Sequence, residues 1–275
     1  MNRLFVAYKP PFISSNGFLS RLKRKYREQH AGFSGTLDPF AKGSLIVAFG
    51  QFSRLFCFLA KSPKRYRATL WLGAASRTLD IEAIESVATV PIVSVQTIET
   101  VLRRFLGKQM QTPPLFSALR VGGKRAYKLA RSGDEVLLAP REIEVFRIAL
   151  VSYCHPFLSF ECDVSEGCYV RVLGREIAAA LGADGALSSL ERLSEGAFHF
   201  EGEKPLDPLN FIDLPRNFYN GDDRDLYDAK KFSVDRLRYK GDGDYLIAAK
   251  EFFVIITVFQ GIVTFKLGHM DTNAI

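Results

Sequence analysis

Hydrophobic positions recur along this chain with two periods, and each period predicts a different element. Leu4–Tyr8 is a short apolar run stopped by Lys9-Pro10-Pro11, which predicts a strand. Phe18, Leu19, Leu22 and Tyr26 then return at helical spacing. Arg21, Lys23, Arg24, Lys25 and Arg27 fill the positions between them, so the predicted helix is amphipathic and basic. The unbroken run Ser44–Gly50 predicts a buried strand, and Phe52–Leu59 a short helix. In Lys64–Gly73, the alternation of Tyr66, Ala68, Leu70 and Leu72 marks one face of a strand. Ser76–Asp80 is a polar turn.

Ser94 is placed to cap a helix running to Phe105, with Ile98, Val101, Leu102 and Phe105 as its stripe and Gly107 beyond its end. Pro113 and Pro114 keep Gln111–Arg120 extended. Ala126–Arg131 predicts a short helix ending before Gly133, and Arg141–Cys154 and Leu158–Val164 a strand pair about His155-Pro156. Val170, Leu173, Ile177 and Leu181 form the buried stripe of a helix that Gly182 ends. Leu187, Leu190 and Leu193 read as a further helical segment closed by Gly196. From Pro205 the prolines and aspartates cluster, and short apolar runs then alternate with glycine. The expected division is therefore a main unit, 1–204, and a small β-rich unit, 205–275.

Composition narrows the picture. The 275 residues are 47% hydrophobic, enough for a sizeable core. The net charge of +7 is uneven: the first 70 residues hold 13 Lys and Arg against 2 acids, whereas 201–275 hold 10 against 13. Such a concentration suits a polyanion partner, or else a solvated basic face. Cys57, Cys154, Cys162 and Cys168 form no Cys-x-x-Cys pair and have no histidine cluster beside them, which argues against a zinc site or a disulfide framework. The apolar run at the N-terminus is too short for a signal peptide, and Phe252–Phe259 falls well short of the ~20 residues that span a bilayer. The expected setting is cytoplasmic and away from membranes.

The candidate chemistry centres on Gly32–Gly43, a stretch punctuated by Gly32, Gly35, Pro39 and Gly43 and read as a loop. It carries Asp38, which stands alone between Glu28 and Asp80 in a neighbourhood rich in Lys and Arg. An isolated carboxylate in positive surroundings stays ionised, which suits a nucleophile or base; equally, an aspartate before proline caps a turn. Tyr66, at the basic end of its strand, suits stacking on a base, or a core position with its hydroxyl at the rim. Tyr169 and Arg171 fall at the start of the helix that follows Gly167.

Several separated stretches then resemble one family, the TruB-type tRNA pseudouridine-55 synthases. Gly32-Phe33-Ser34-Gly35-Thr36-Leu37-Asp38-Pro39 is similar to the family's Gly-His-Thr-Gly-Thr-Leu-Asp-Pro loop. Lys9-Pro10 with Ser14-Ser15, Lys64-x-Tyr66 with Leu72-Gly73, and Thr78-x-Asp80 follow in order. So do Gln111-x-Pro113-Pro114-x-Phe116-Ser117-Ala118, Gly123–Tyr127 through Gly133, Gly167-x-Tyr169-Val170-Arg171 and Leu190–Leu193. The resemblance spans roughly residues 3–200, and the ordered series selects the catalytic reading of Asp38.

The resemblance implies an α/β fold of the α+β type. It would have a central, largely antiparallel mixed sheet flanked by helices, and a small C-terminal remnant of a PUA-like domain. It implies an isomerase that converts uridine to pseudouridine at position 55 in the T-arm of tRNA, acting on a flipped-out base without metal or organic cofactor. In that reading Asp38 is the catalytic nucleophile, and attack at C1′, attack at C6 and proton abstraction at the sugar all stay open. Tyr66 stacks on the target base and assists removal of the C5 proton, and Arg171 pairs with Asp38. Tyr169 packs under or hydrogen-bonds the catalytic pocket and Leu190 helps line the uridine pocket, with Phe33, Lys64 and Lys9 as further substrate contacts. Two departures stand out: Phe33 in place of the family histidine, and Phe12 in place of a usual glycine. The partner is tRNA and the expected state a monomer. The competing readings are a non-catalytic RNA-binding or tRNA-folding protein on the same scaffold, and a hydrolytic nucleosidase. The hydrolase wants a second carboxylate, which Asp80 would supply only if the fold brought it near.

Overall fold

Alternating and continuous apolar segments pair into one central sheet. In the computed structural model, which describes residues 1–117, 119–121, 124–125 and 138–272, the first strands are β1 (Arg3–Lys9), β2 (Ala31–Ser34), β3 (Lys42–Phe49) and β4 (Lys64–Leu72). Two small strands, β5 (Ala74–Ser76) and β6 (Ile84–Val87), pair beside it. Then come β7 (Gly107–Gln111), the two-residue pair β8 (Arg120–Val121) and β9 (Lys124–Arg125), and the long strands β10 (Arg141–Cys154) and β11 (Phe157–Val164). β12 (Gly185–Glu195) and β13 (Phe198–His199) complete the sheet, whose order is β1-β3-β12-β4-β11-β10-β7. β2 adds to β3 and β13 to β12. Every pairing is antiparallel except β12 with β3, a parallel contact registered only at Glu191↔Lys42 and Arg192↔Gly43. The fold is therefore α+β about a mostly antiparallel mixed sheet, with a β-rich C-terminal region.

Helix α1 (Ser15–Tyr26) starts where Ser14 accepts a hydrogen bond from the Gly17 amide at 3.1 Å. It buries Phe18, Leu19 and Leu22 on one face of β3, against Leu45, Val47 and Phe49. The opposite face of β3, Ile46 and Ala48, enters a second cluster with Leu4, Val6, Phe52 and Leu55. A strand covered on both faces has no polar side to show, which explains the unbroken run in the sequence. Helices α2 (Val95–Arg103, capped by Ser94) and α3 (Val170–Ala180) cover the other half of the sheet. Their stripes meet Ala68, Leu70 and Leu72 of β4 and Phe160 and Val164 of β11.

The C-terminal strands β14 (Gly243–Ala248), β15 (Phe252–Phe259) and β16 (Ile262–Asp271) form an antiparallel sheet of their own. Leu246, Phe253, Ile255 and Leu267 pack into the same cluster as Leu4 and Ile46, so this sheet shares a core with β1 and β3. The expected division after residue 204 falls in the connection between β13 and this region. No helix among the described residues is long and apolar enough to cross a membrane.

Three sequence expectations change. Leu187, Leu190 and Leu193 lie on a strand, β12, not a helix. Two bulges, between Leu187 and Ser189 and between Arg192 and Ser194, each insert a residue and break the two-residue alternation. The inward positions become Leu187, Leu190, Arg192 and Glu195, and part of that spacing imitates a helix. Phe52–Leu59 is not a continuous helix: a 3-10 turn covers Gly50–Arg54, and turns follow it. Phe52, Leu55 and Phe58 are buried at intervals of three, the period of a 3-10 turn. Residues 32–34 belong to β2, so the presumed loop shrinks to the segment between Ser34 and Lys42. The predicted helix Ala126–Arg131 lies outside the described residues.

Candidate active site

The segment between β2 and β3 is pinned on both sides of Asp38. Leu37 and Phe40 are each 3% exposed and belong to the main core. Burying side chains of this kind contributes ~1.5–3 kcal/mol each, which fixes the backbone between them. Ser15, buried at the start of α1, donates through Oγ to the Leu37 carbonyl at 2.9 Å and accepts from the Leu37 amide at 3.0 Å. Lys9 lies beneath, fully buried, its Nζ donating to the carbonyls of Ile13 (2.7 Å), Pro10 (3.0 Å) and Pro39 (3.2 Å). Burial lowers its pKa to about 8, against the pull of Asp38 and Glu82. Lys9, expected from the resemblance as a substrate contact, sits here as a peg under the loop, its ammonium occupied by three carbonyls.

Asp38 emerges from this support at the floor of a cleft of about 350 Å³. Arg171, from the first turn of α3, grips its carboxylate. Nε lies 2.8 Å from Oδ2, and Nη2 donates to Oδ1 at 3.1 Å. The guanidinium is itself 3% exposed and held by the carbonyls of Thr78 (2.5 Å) and Phe116 (2.9 Å). Asp80 approaches the same guanidinium, Oδ2 standing 3.4 Å from Nη1. The turn that brings it there places Leu79 at φ 63°, a left-handed conformation that is uncommon for a bulky residue. Asp80 accepts from the Thr78 hydroxyl at 2.6 Å and from the Glu82 amide at 2.9 Å.

Asp38 is therefore not alone, as its place in the sequence suggested: Arg171 stands between it and a second, buried carboxylate. Desolvation raises the Asp38 pKa above its ordinary value, Arg171 opposes the rise and Asp80 adds to it. A third of the side-chain surface still faces the cleft, so the setting is a crevice floor rather than a sealed core.

Tyr66 walls the cleft from β4, where the inward face of the alternation carries it. Burial pushes its hydroxyl up to about 12, so at neutral pH it presents an intact phenol rather than a phenolate. Leu190 and Arg192 enter from β12, and Tyr169 from the N-cap position of α3. The Tyr169 backbone is clamped by the buried Gln111, whose Oε1 accepts from its amide at 2.8 Å and whose Nε2 donates to its carbonyl at 3.3 Å. Arg141 lies over the Tyr169 ring, 4.9 Å from its centre. Lys64, itself buried, also lines the cleft, 3.2 Å from Glu195 and 3.8 Å from Glu166. Cys168 also faces the cleft, but burial pushes its thiol up to about 12, which leaves it protonated and a poor nucleophile.

The cleft thus unites Asp38, Lys64, Tyr66, Tyr169, Arg171 and Leu190. Phe33 is absent from it. It lines a neighbouring cleft of about 380 Å³ with Ser14, Asn16 and Phe116, separated from the first by Asp38 and Arg171, which border both.

Sequence reasoning missed Arg192 and Glu195. Arg192 is 1% exposed and donates from Nη2 to the Gly35 carbonyl at 2.8 Å and from Nε to the Ser44 carbonyl at 2.9 Å. Its Nη2 also lies 2.9 Å from Glu195, which is fully buried. Gly35 sits against this pair at φ +66°, and a Cβ there would fall 2.7 Å from the Glu195 carboxylate and 3.0 Å from Arg192. The signal was present two residues beyond Leu190, but a helical reading turned Arg192 away from it. Among the described residues no cluster of His, Cys, Asp or Glu is built to hold a metal ion.

Chemically, the cleft offers an oriented carboxylate, an aromatic wall beside it and apolar lining from Leu37, Val170 and Leu190. That combination suits covalent or general-base work on a planar group held against the tyrosine.

Comparison with known proteins bears on the fold and on the family. Two solved structures share the fold: a chain of a Cbf5-Nop10-Gar1 complex (19% identical, covering 98% of this chain and 83% of that one, TM-score 0.67) and one of the archaeal box H/ACA sRNP Nop10-Cbf5 complex (18%, 98% and 87%, TM-score 0.68). Curated relatives are nearer in sequence. A tRNA pseudouridine synthase B from Nitratiruptor sp. is 50% identical over 270 residues, 98% of each chain. One from Campylobacter jejuni is 45% identical over 271 residues, 98% of this chain and 99% of that one. The model of the TruB family pseudouridylate synthase N-terminal domain matches residues 23–170. With the Asp38 loop, the Tyr66 strand and much of the cleft inside that match, and near full-length relatives at half identity, this chain belongs to the TruB family of pseudouridylate synthases.

Proposed function

We propose that this protein is a tRNA pseudouridine synthase that isomerises uridine 55 in the T-arm, with Asp38 as the nucleophile. The observation that carries the proposal is the Asp38–Arg171 pair at the floor of a cleft walled by Tyr66. In the reaction the N1–C1′ bond breaks and a C5–C1′ bond forms. C5 loses its proton and N1 gains one, so product and substrate have the same atoms. Asp38 supplies the electron pair that starts the exchange, and Arg171 keeps its carboxylate ionised and aimed. A uracil cannot reach this floor while stacked in an RNA helix, so the target nucleotide enters flipped out.

Once inside, the base lies against the Tyr66 ring with Leu190 lining the pocket. A phenol that titrates near 12 keeps its proton at neutral pH, so Tyr66 holds and orients the base rather than acting as a resident phenolate. Tyr169 and Lys64 complete the lining, with Lys64 held between Glu166 and Glu195. No metal or organic cofactor is required by this chemistry. In this reading residues 1–204 form the catalytic unit and 205–275 a reduced PUA-like unit, and the protein works as a cytoplasmic monomer.

The test uses an unmodified tRNA transcript tritiated at uracil C5. Stoichiometric tritium release from one T-arm uridine by the wild-type protein, and none by Asp38→Asn, is the expected result. Release of free uracil would instead indicate a hydrolase. Tight tRNA binding with no tritium release would leave a protein that only binds or folds RNA.

A further inference from the structure

Phe12 combines two features that folding alone does not favour. Its backbone lies at φ 60°, the left-handed region that glycine enters freely and a bulky L residue resists. Its side chain is 72% exposed, more than any other aromatic among the described residues. The ring therefore gives no core packing in return for the strained backbone. Strain of this kind persists where the surroundings enforce it, and it collects at ligand contacts.

The surroundings do enforce it. The Lys9 ammonium binds the carbonyls of Pro10 and Ile13, on both sides of Phe12, and reaches across to the carbonyl of Pro39, next to Asp38. One buried cation thus ties the turn bearing Phe12 to the loop bearing Asp38. Two residues further on, Ser14 and then Asn16 line the cleft that adjoins Asp38. The helix that follows exposes Arg21, Arg24 and Arg27, none of which has an ion-pair partner among the described residues. A solvent-facing ring at the entry to a helix that carries unpaired arginines along its length has the chemistry of a stacking contact on a nucleic-acid strand.

We propose that Phe12 is a substrate contact: its ring stacks on a base of the RNA outside the target nucleotide, and the Lys9-tied turn holds the ring ready. The inference rests on the RNA-modifying reading above and extends it to a residue outside the catalytic cleft.

The test compares Phe12→Gly, Phe12→Ala and Phe12→Tyr with the wild type, using an unmodified T-arm stem-loop transcript as probe. Binding is read by filter retention and folding by Tm. Phe12→Gly relieves the backbone and removes the ring, so its Tm should rise by a few degrees while its Kd weakens by about tenfold. Phe12→Ala should lose the same affinity without the gain in Tm. Phe12→Tyr keeps a ring and should bind within about twofold of the wild type. A purely structural role would move affinity and Tm in the same direction. Wild-type affinity in Phe12→Gly overturns the proposal, as does failure of Phe12→Tyr to restore binding. If the wild type binds the transcript through the ring but forms no pseudouridine, the Phe12 contact stands and the enzymatic reading falls.

Discussion

The guanidinium of Arg171 meets the Asp38 carboxylate as a fork, with Nε 2.8 Å from Oδ2 and Nη2 3.1 Å from Oδ1. Its Nη1 lies 3.4 Å from Asp80. A lysine retains the charge but cannot reproduce two parallel contacts to Asp38 and a third toward Asp80. Arg171→Lys should therefore fold, bind RNA within a few-fold of the wild type, and lose about 10²–10³ in kcat. Single-turnover rates near the wild-type value would show that charge alone suffices. Arg171→Ala removes the cation facing buried Asp80, and a cost of ~3–5 kcal/mol should appear as a large fall in Tm.

The pH profile has a definite sign. Desolvation holds the Asp38 carboxyl above its ordinary 3.8, and Arg171 restrains that rise. If the ionised form is the active one, kcat/KM should fall on acidification at a higher pH than an ordinary aspartate would give. Replacing Arg171 with Gln removes the restraint, so the acid limb should move to still higher pH. A limb that moved to lower pH in that variant would contradict the assignment of Asp38 as the titrating group.

Asp38→Asn tests the same residue without a change of size. The amide keeps the shape of the loop but has no carboxylate electron pair to offer. Turnover should vanish while tRNA affinity stays within a few-fold. Substantial residual turnover would remove Asp38 from the nucleophile role.

At Tyr66 the ring and the hydroxyl can be separated. Tyr66→Ala loses the stacking wall, and stacking on one base is worth roughly 1–3 kcal/mol, so turnover should fall by about 10–10². Tyr66→Phe keeps the ring and should recover most of that loss. If Phe proves as inactive as Ala, the phenol, not the aromatic face, performs the work.

Gly35 offers a structural test of the missed pair. A methyl group there would meet the Glu195 carboxylate at 2.7 Å and Arg192 at 3.0 Å, on a backbone already at φ +66°. Gly35→Ala should cost ~1–3 kcal/mol and lower the Tm measurably. An unchanged Tm would mean that the buried Arg192–Glu195 pair moves aside easily.

What could be read in advance followed from local periodicity. The strand under Tyr66 was legible from its alternation and the start of α3 near Arg171 from the Val170–Leu181 stripe, while the roles of both residues came from the resemblance. Arg192 and Glu195 were hidden by two bulges that turned a strand's alternation into something like a helix's. Lys9 was expected, from the resemblance, as a substrate contact; its burial is decided by carbonyls from two separate segments, which no local pattern records. The approach of Asp80 to Arg171 depends on a left-handed Leu79 and on distant pairing, so the sequence could only leave it open.

The parallel contact between β3 and β12 has a consequence for how the enzyme comes into being. Only two registered pairs join the half-sheet carrying the Asp38 loop to the half-sheet carrying Tyr66 and Leu190. Asp38 and Arg171 are 133 positions apart along the chain, so their fork forms only after a large loop has closed. The half with β1, β2 and β3 pairs among near neighbours, whereas β4 must itself reach across to the distant β11 and β12. Catalytic competence is then a late event in folding: a chain with both halves formed but the seam unzipped would hold nearly all its secondary structure and no active site.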